Sequence, residues 1–446
     1  MRRRLLEGTE DDMAQSAQHT GDVAAEPRRF KPTKGTLVTL LMASMLNCMG
    51  GAAVAPALPQ ISAAFPQAPE TMVAFVVSLP ALAVAISGFF VGALADRVGK
   101  AKTLVASLVL FTLAGLGGLI APSLEWLLVS RFIMGIGIAG VSTATTALIA
   151  DYYDPETQTR VLGLQSASAG VSILTLETVG GFLALLGWRV PFFVYAIGIP
   201  MIVCALLFVR EAYEPAGKAH GGKEPTSSEK APAKGALRPD APKKKSLFSG
   251  LAAGAGIVVV LCLTFAFFNQ FVTFLGPSKL PYVVTELGGS TAMSGLFLGA
   301  SGLANVLFSL LYAPLVRRIG RFWLVSIGFT MTVTGCLFIG FATSLWAAFV
   351  GILLMNSAVA FVLPLVANWL AWIATPQTSG KLMGANAMLV NLGQFCCPLW
   401  SGAVLASGGT YGTVFIIGAI IALAMVAVAV IGRIVRPRLQ NLQTEK

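Results

Sequence analysis

Long apolar runs separated by short polar segments make up most of this chain. Several runs exceed the roughly 20 residues that an α-helix needs to cross a hydrocarbon core at about 1.5 Å per residue. Helices are expected because backbone groups cannot stay unpaired in lipid, and the runs lack the alternation of membrane β-strands. The pattern therefore predicts an all-α membrane protein with twelve transmembrane helices, over residues 36–58, 71–94, 103–121, 125–150, 161–186, 190–209, 250–275, 292–316, 322–342, 345–373, 381–406 and 411–432.

One long polar segment interrupts the apolar pattern near the middle of the chain. It is rich in lysine and proline, and it cannot bury enough apolar surface to offset the entropy lost on ordering. We therefore predict a disordered cytoplasmic linker between two halves of six spans each. The expected organisation is a cytoplasmic N-terminal tail, a six-helix bundle, the linker, a second six-helix bundle and a C-terminal tail, over residues 1–34, 35–210, 211–247, 248–435 and 436–446.

The charge distribution predicts how the chain is oriented in the membrane. Only 11% of the residues are charged, against about a quarter in soluble domains, and the net charge is +11. Arg131 falls in a span, and Arg189 and Lys279 fall in loops on one side of the membrane. The other 28 of the 31 Lys and Arg therefore lie on the other side. The side with the 28 basic residues is cytoplasmic by the positive-inside rule. We expect a multi-pass protein of the cell (inner) membrane with both termini in the cytoplasm.

Several other classes of protein do not fit this sequence. Nucleic-acid binding is not indicated, because the basic residues are scattered over membrane-flanking loops. The six cysteines lie in predicted spans without disulfide or metal-ligand spacing, and His19 and His220 lie in polar segments. There is no phosphate loop of an ATP-driven pump and no clustered acid–base or metal constellation of a membrane enzyme. We expect no enzyme activity, no metal and no cofactor.

A charged run between spans 2 and 3 is the most specific motif. Residues 92–100 follow the pattern Gly-x-x-x-Asp-Arg-x-Gly-Lys, which predicts a tight hinge between two helices at a water interface. Gly92 would let two helices approach closely, and Asp96 could cap a helix or pair with a base from a neighbouring bundle. Such a pair would lock one conformation and break in another. The alternative is a basic membrane anchor with an incidental acid.

A degenerate copy of this motif follows span 8 at residues 313–321, with Ala313 in place of the first glycine and Arg317 in place of the aspartate. An internal repeat of six spans is typical of secondary transporters. The run at residues 92–100 resembles the loop between spans 2 and 3 of the major facilitator superfamily, and the likeness extends over the whole chain. It implies the major facilitator fold, and it implies that the conformational gate includes Gly92, Asp96, Arg97, Gly99 and Lys100.

Two charged residues inside predicted spans are candidates for proton coupling. Arg131 begins an Arg-x-x-x-Gly-x-Gly pattern that resembles a second superfamily motif, whose arginine is associated with proton coupling. Glu177 shares a helical stripe of small residues, which should face another helix or a cavity. A salt bridge or a shared proton between them would let the carboxylate bind and release a proton as access alternates. The alternatives are an arginine that snorkels to water and a fixed ion pair that only joins two helices.

The second half carries amides where charges would be costly, accompanied by aromatic residues. Amides in spans can merely join helices, but this number indicates that some line a polar cavity. A neutral wall of amides and aromatic rings suits a moderately large amphiphilic or cationic organic solute. In the superfamily that the chain resembles, spans 1, 4, 7 and 10 line the cavity. On that basis the cavity candidates are Asn47, Asn269, Gln270 and Asn356.

Span 5 also resembles the signature of drug antiporters. Gly180, Gly181 and a Gly-Trp-Arg ending match, whereas Leu176 and Glu177 stand where that signature has Gly-Pro. We expect a proton-coupled secondary transporter that exports small organic, drug-like or amphiphilic compounds by alternating access. Its partners would be the substrate, protons and the lipid bilayer, its energy source the proton gradient, and its state a monomer. Proton-driven uptake of a small organic metabolite is the alternative.

Overall fold

The computed structural model describes residues 30, 32–211, 255–375 and 378–435. Apart from residues 30, 32–34 and 211, the two predicted tails and the predicted linker lie outside the described residues. Within these ranges the α-helices are α1 (Lys34–Met45), α2 (Leu58–Ala64), α3 (Glu70–Val98), α4 (Lys100–Leu116), α5 (Leu124–Tyr152), α6 (Pro155–Leu183), α7 (Gly198–Phe208), α8 (Ala255–Thr273), α9 (Leu275–Glu286), α10 (Thr291–Ile319), α11 (Arg321–Gly340), α12 (Leu345–Ser357), α13 (Val359–Ile373), α14 (Ser379–Ala406) and α15 (Tyr411–Val435).

The predicted spans correspond to these helices. In the described part of the chain, ten helical segments are long and apolar enough to cross a membrane. The first and third predicted spans contain shorter helices: α1 has 12 residues and passes into a 3₁₀ turn at Leu46–Gly50, and α4 has 17 residues. The all-helical architecture predicted from the apolar runs is confirmed.

The seventh span is longer than the sequence predicts. It was expected over residues 250–275, but the membrane-length segment runs from Gly256 to Glu286 through α8 and α9. Lys279, expected in an outer loop, therefore lies inside α9 and is fully buried. A buried lysine needs a neutralising partner, and that partner comes from the other half of the chain, where the sequence pattern gives no sign of it.

Equivalent glycines end one helix and begin the next in the two halves. Gly99 separates α3 from α4 with φ of 108°, and Gly320 separates α10 from α11 with φ of 80°. Both lie in the left-handed region that favours glycine, so the two sharp turns fall at the same point of the repeated motif. We call the end of the molecule that carries these two turns the charged side, and the other end the opposite side.

The two halves touch closely on the opposite side. Helix α6 of the first half packs on α10 of the second, where a Cβ at Gly181 would lie 2.7 Å from the Cα of Gly295. Likewise, a Cβ at Gly402 in α14 would lie 2.9 Å from the Cβ of Thr71 in α3. The prediction that the small residues of span 5 face another helix is confirmed at Gly181, which has room only for a hydrogen atom.

The same helices separate toward the charged side. Gly163 of α6, Gly88 of α3 and Gly384 of α14 each have open space where a side chain would begin. The halves are therefore joined at one end and splayed at the other, and the space between them opens toward the charged side.

We predict that Gly181→Leu forces α6 and α10 apart on the opposite side. Overpacking a tight contact costs about 1–3 kcal/mol, which is enough to shift a two-state equilibrium. Spin labels on cysteines introduced at Gln67 and Ser407, both exposed on the opposite side, should report a longer distance by double electron–electron resonance. Gly163→Leu is the matched control, because its side chain enters open space on the same helix. An unchanged distance in Gly181→Leu would contradict the prediction.

Candidate functional site

A cavity of about 430 Å³ lies between the two halves, within the size range of small-molecule sites. Both halves contribute to its wall. The first half supplies Gly50 to Ala52 and parts of α3, α5 and α6, and the second supplies parts of α8 to α10 and α12 to α14. The sequence anticipated walls from spans 1, 4, 7 and 10, and the structure adds spans 2, 5, 8 and 11.

Amides form the second-half wall of the cavity and bond to one another or to nearby hydroxyls. Gln394 donates to Oε1 of Gln270 at 3.4 Å, and Asn356 donates to Oγ of Ser301 at 2.5 Å. The side chain of Asn305 donates to the backbone oxygen of Asn356 at 3.1 Å. These bonds hold the amides in place and leave part of their polar surface facing the cavity. The lining amides are Gln270, Asn305, Asn356, Asn391 and Gln394.

Glu177 is the one charged residue among the described residues that line the cavity. Its side chain is 6% exposed, and Oε2 is buried without a hydrogen-bond partner. It lies on α6, at the level where α6 meets α10, because its backbone oxygen faces Gly295. An unpartnered carboxylate in such a place is costly when ionised, which favours exchange of a proton or capture of a cation.

The structure places the four predicted cavity residues in different surroundings. Gln270 and Asn356 line the cavity. Asn269 does not: it is fully buried, and neither atom of its amide group has a hydrogen-bond partner. Neighbouring residues on a helix point about 100° apart, so Gln270 can face the cavity while Asn269 faces the packed interior. The backbone of Asn47 lies in the 3₁₀ turn after α1, and its side chain lies outside the described residues.

Arg131 lies on α5, and its side chain is fully buried beside the C-terminal end of α4. Its guanidinium donates to the backbone oxygens of Ala114 and Gly115 at 3.0 and 2.8 Å. It also lies 4.9 Å from the ring centroids of both Phe192 and Tyr195. These oxygens belong to the last turn of α4, where carbonyls lack partners within the helix and a cation is favourable. Arg131 thus joins α4, α5 and the segment that follows Arg189.

The expected salt bridge between Arg131 and Glu177 is wrong for this conformation. Glu177 lines the central cavity, whereas Arg131 does not and is occupied by carbonyl oxygens and aromatic rings. The physical reason is that the end of α4 supplies acceptors directly beside the guanidinium. Nothing in the spacing of Arg131 along the chain shows that α4 ends there.

The glycines that follow Arg131 pack α5 against its neighbours. A Cβ at Gly135 would lie 2.8 Å from the Cα of Pro80 in α3, and one at Gly137 would lie 2.8 Å from the backbone nitrogen of Phe111 in α4. The Arg-x-x-x-Gly-x-Gly pattern therefore produces a tight three-helix contact at the back of the cavity.

At the charged loop, Gly99 and Lys100 are engaged within the first half. Lys100 forms a 2.6 Å salt bridge with Asp151 at the end of α5. The carboxylate of Glu211 accepts from the backbone nitrogens of Lys100 and Ala101 at 3.2 and 2.9 Å, and so caps α4. No sequence motif marks Asp151 or Glu211, because they lie 51 and 111 positions from Lys100 along the chain.

The other predicted gating residues form no comparable salt bridge or helix cap with the described residues. Asp96 and Arg97 are exposed and form no salt bridge with any described residue. A Cβ at Gly92 would lie 3.8 Å from Thr143, which is ordinary contact, so the expected close helix approach at Gly92 is wrong for this conformation. The gating role of these five residues stays a prediction.

Comparison with known proteins agrees with this architecture. The family model described as Major Facilitator Superfamily matches residues 40–279 and 261–446. The chain belongs to this superfamily. It is therefore a multi-pass membrane transporter of a small-molecule substrate, in a family of transporters and not of enzymes.

Relatives within the superfamily include drug-resistance proteins. The chain is 26% identical to the tetracycline resistance protein, class C, of Escherichia coli, over 87% of this chain and 94% of that protein. It is 22% identical to the quinolone resistance protein NorA of Staphylococcus aureus, over 71% of this chain and 76% of that protein. A solved structure of a D-xylose-proton symporter shares the fold with a TM-score of 0.65 and 18% identity, covering 87% of this chain and 96% of that one.

On the opposite side of this superfamily member, an ion pair between a buried lysine and a partly exposed glutamate joins the two halves. Lys279 of α9 is fully buried, and its Nζ lies 2.5 Å from Oε1 of Glu70, the first residue of α3. Tyr411 donates to Oε2 of Glu70 at 2.8 Å, and the ring of Tyr282 stacks on that of Tyr411. We call Glu70, Lys279, Tyr282 and Tyr411 the latch. No sequence signal marked it, since Glu70 and Lys279 are 209 positions apart.

We predict that Lys279→Met weakens the closure of the opposite side. Removing one partner of a buried ion pair costs about 3–5 kcal/mol, and here the remaining partner is an acid that gains water when the halves part. A cysteine introduced at Thr71, beside Gly402 of the other half, should react more than about tenfold faster with a membrane-impermeant thiol reagent.

The matched control for the latch is Arg189→Met. Arg189 also lies on the opposite side, but it donates to Ala121 and stacks on Trp188, both in its own half. Its substitution should leave the reactivity at position 71 unchanged. Equal reactivity in Lys279→Met and the parent protein would show that the latch does not hold the halves together.

Proposed function

We propose that this protein is a proton-coupled secondary transporter that exports small organic, drug-like or amphiphilic compounds. The observation that carries the proposal is Glu177, an unpartnered carboxylate in the wall of a cavity that both halves enclose. The two drug-resistance relatives support the export of organic compounds. The proton gradient is the proposed energy source, with no organic cofactor.

The position of Glu177 supports its role as the proton carrier. The carboxylate is reached through the cavity, which opens toward the charged side, while α6 and α10 close the path on the opposite side. When the halves rock, the tight contact at Gly181 and Gly295 opens, and the same carboxylate meets the other compartment. A proton taken up on one side can therefore be released on the other.

The cavity wall supports a neutral or cationic organic substrate. Its described lining contains five amides, hydroxyl groups and one carboxylate, and no basic side chain. Amides can donate to or accept from polar groups of varied shape, while a cation would compete with the proton for Glu177. An inorganic anion would find no positive charge in this wall.

The basic loops support an orientation with both termini in the cytoplasm of the cell, in the inner membrane. The charged side is then cytoplasmic, and the structure is the state open to the cytoplasm with the latch closed. In the other state Asp96 would regain a partner as the halves meet on the charged side. Arg131 would contribute by fixing the helices behind the cavity. A monomer suffices for this cycle, and nucleic acid has no part in it.

We predict that Glu177→Gln abolishes proton-driven transport while the protein stays folded. The amide keeps the size of the side chain but cannot exchange a proton, so coupling is lost and substrate exchange persists. Purified protein in liposomes with an imposed pH gradient should fail to move tetracycline, a quinolone or an organic cationic dye above the level of empty liposomes. Exchange of labelled for unlabelled substrate without a gradient should continue.

The matched control is Glu125→Gln, which changes an exposed acid at the start of α5 outside the cavity. It should transport like the parent protein. Full gradient-driven flux in Glu177→Gln would remove that residue from the mechanism. Movement of the substrate in the same direction as the protons, rather than in the opposite direction, would instead identify a proton-driven uptake symporter. The same cavity and carboxylate can serve both directions.

A further inference from the structure

A second concave site lies away from the central cavity, at the charged end of the second half. It is a groove of about 600 Å³ between the end of α10, the start of α11 and the end of α15. We call it the arginine groove. Its lining residues are Arg317, Arg318, Ile319, Gly320, Trp323, Ile327 and Arg433.

No carboxylate among the described residues pairs with the three arginines of the groove. From residue 248 onward the sequence contains only Glu286 and Glu445 as acids. Glu286 ends α9 on the opposite side, and Glu445 lies outside the described residues. None of the three guanidinium groups forms a salt bridge within the described part of the chain. Three like charges at one groove favour an external anion.

In the first half, a carboxylate caps the helix that is equivalent to α11. There, α4 begins after Gly99, and its first backbone nitrogens donate to the carboxylate of Glu211. In the second half, α11 begins after Gly320 in the same way, but no described side chain accepts from its first backbone nitrogens. A helix N-terminus with unpaired N–H groups attracts anions. Within the described part of the chain, the second half thus has no counterpart of the Glu211 carboxylate.

Exposed apolar side chains border the arginine groove. Trp323 and Ile327 are 43% and 39% exposed, and Ile431 and Ile434 beside Arg433 are 57% and 71% exposed. The guanidinium of Arg433 lies 4.6 Å from the centroid of the Trp323 ring, an arrangement suited to a membrane–water interface. An occupant that satisfies both parts of the groove needs a negative head group and an apolar tail.

We propose that the arginine groove binds one anionic phospholipid, with the phosphate among Arg317, Arg318, Arg433 and the start of α11. The acyl chains lie along Trp323 and Ile327. Basic pockets between transmembrane helices on the cytoplasmic side bind lipid head groups of this kind. The leaflet is the cytoplasmic one in the orientation proposed above, but the binding itself depends on neither that orientation nor proton coupling.

The test is lipid binding by the purified, delipidated full chain in detergent. Native mass spectrometry with phosphatidylglycerol should show one tightly bound lipid, and phosphatidylcholine should bind far more weakly. Arg317→Gln, Arg318→Gln and Arg433→Gln should each reduce the affinity for phosphatidylglycerol about fivefold. Lys381→Gln, which removes an exposed base at the start of α14 outside the groove, should leave the affinity unchanged.

A second measurement does not depend on the arginine variants. Brominated phosphatidylglycerol should quench part of the tryptophan fluorescence of the parent protein, and Trp323→Phe should remove that part. Inorganic phosphate at millimolar concentration should not displace the lipid. Equal binding of the two lipids, equal loss in Lys381→Gln, quenching that persists in Trp323→Phe, or full displacement by phosphate would each overturn the proposal. None of these readouts involves transport, so they stay interpretable if the proposed function fails.

Discussion

The contact between the two halves on the opposite side is the constraint on which the rest of the structure depends. Backbone approach at Gly181 and Gly295 brings α6 against α10, and the ion pair of buried Lys279 with partly exposed Glu70 also joins the halves on this side. With that end closed, the halves can only splay at the other. The central cavity and its opening toward the charged side follow from this single closed end.

The cavity combines a neutral wall with one carboxylate. A lone charge in a membrane interior is costly, and Arg131, the partner that the sequence suggested, is held by the end of α4. Among the described residues the carboxylate of Glu177 is thus left without a fixed charge beside it, which favours a mobile partner such as a proton or a cation. The amides of the second half hold one another in place and present polar groups without fixed charge.

The two halves repeat in backbone but differ in charge. In the first, Asp151 and Glu211 neutralise the loop that begins at Gly99. In the second, Arg317 replaces the aspartate of the motif, and the equivalent turn at Gly320 is surrounded by arginines. At this end the first half thus has neutralising carboxylates, whereas the second half has a groove lined by three arginines that form no salt bridge with any described residue.

The sequence by itself determined the helical architecture, the repeat and the stripe of small residues around Gly181, because apolar length and helical period are local properties. It also identified Glu177, Gln270 and Asn356, since polar groups in membrane spans rarely face lipid. Only the tertiary structure decided which partner each polar group has. Arg131 met the end of α4 instead of Glu177, and Lys279 met Glu70 from 209 positions away. Such partners depend on how distant helices pack, and no local spacing records that.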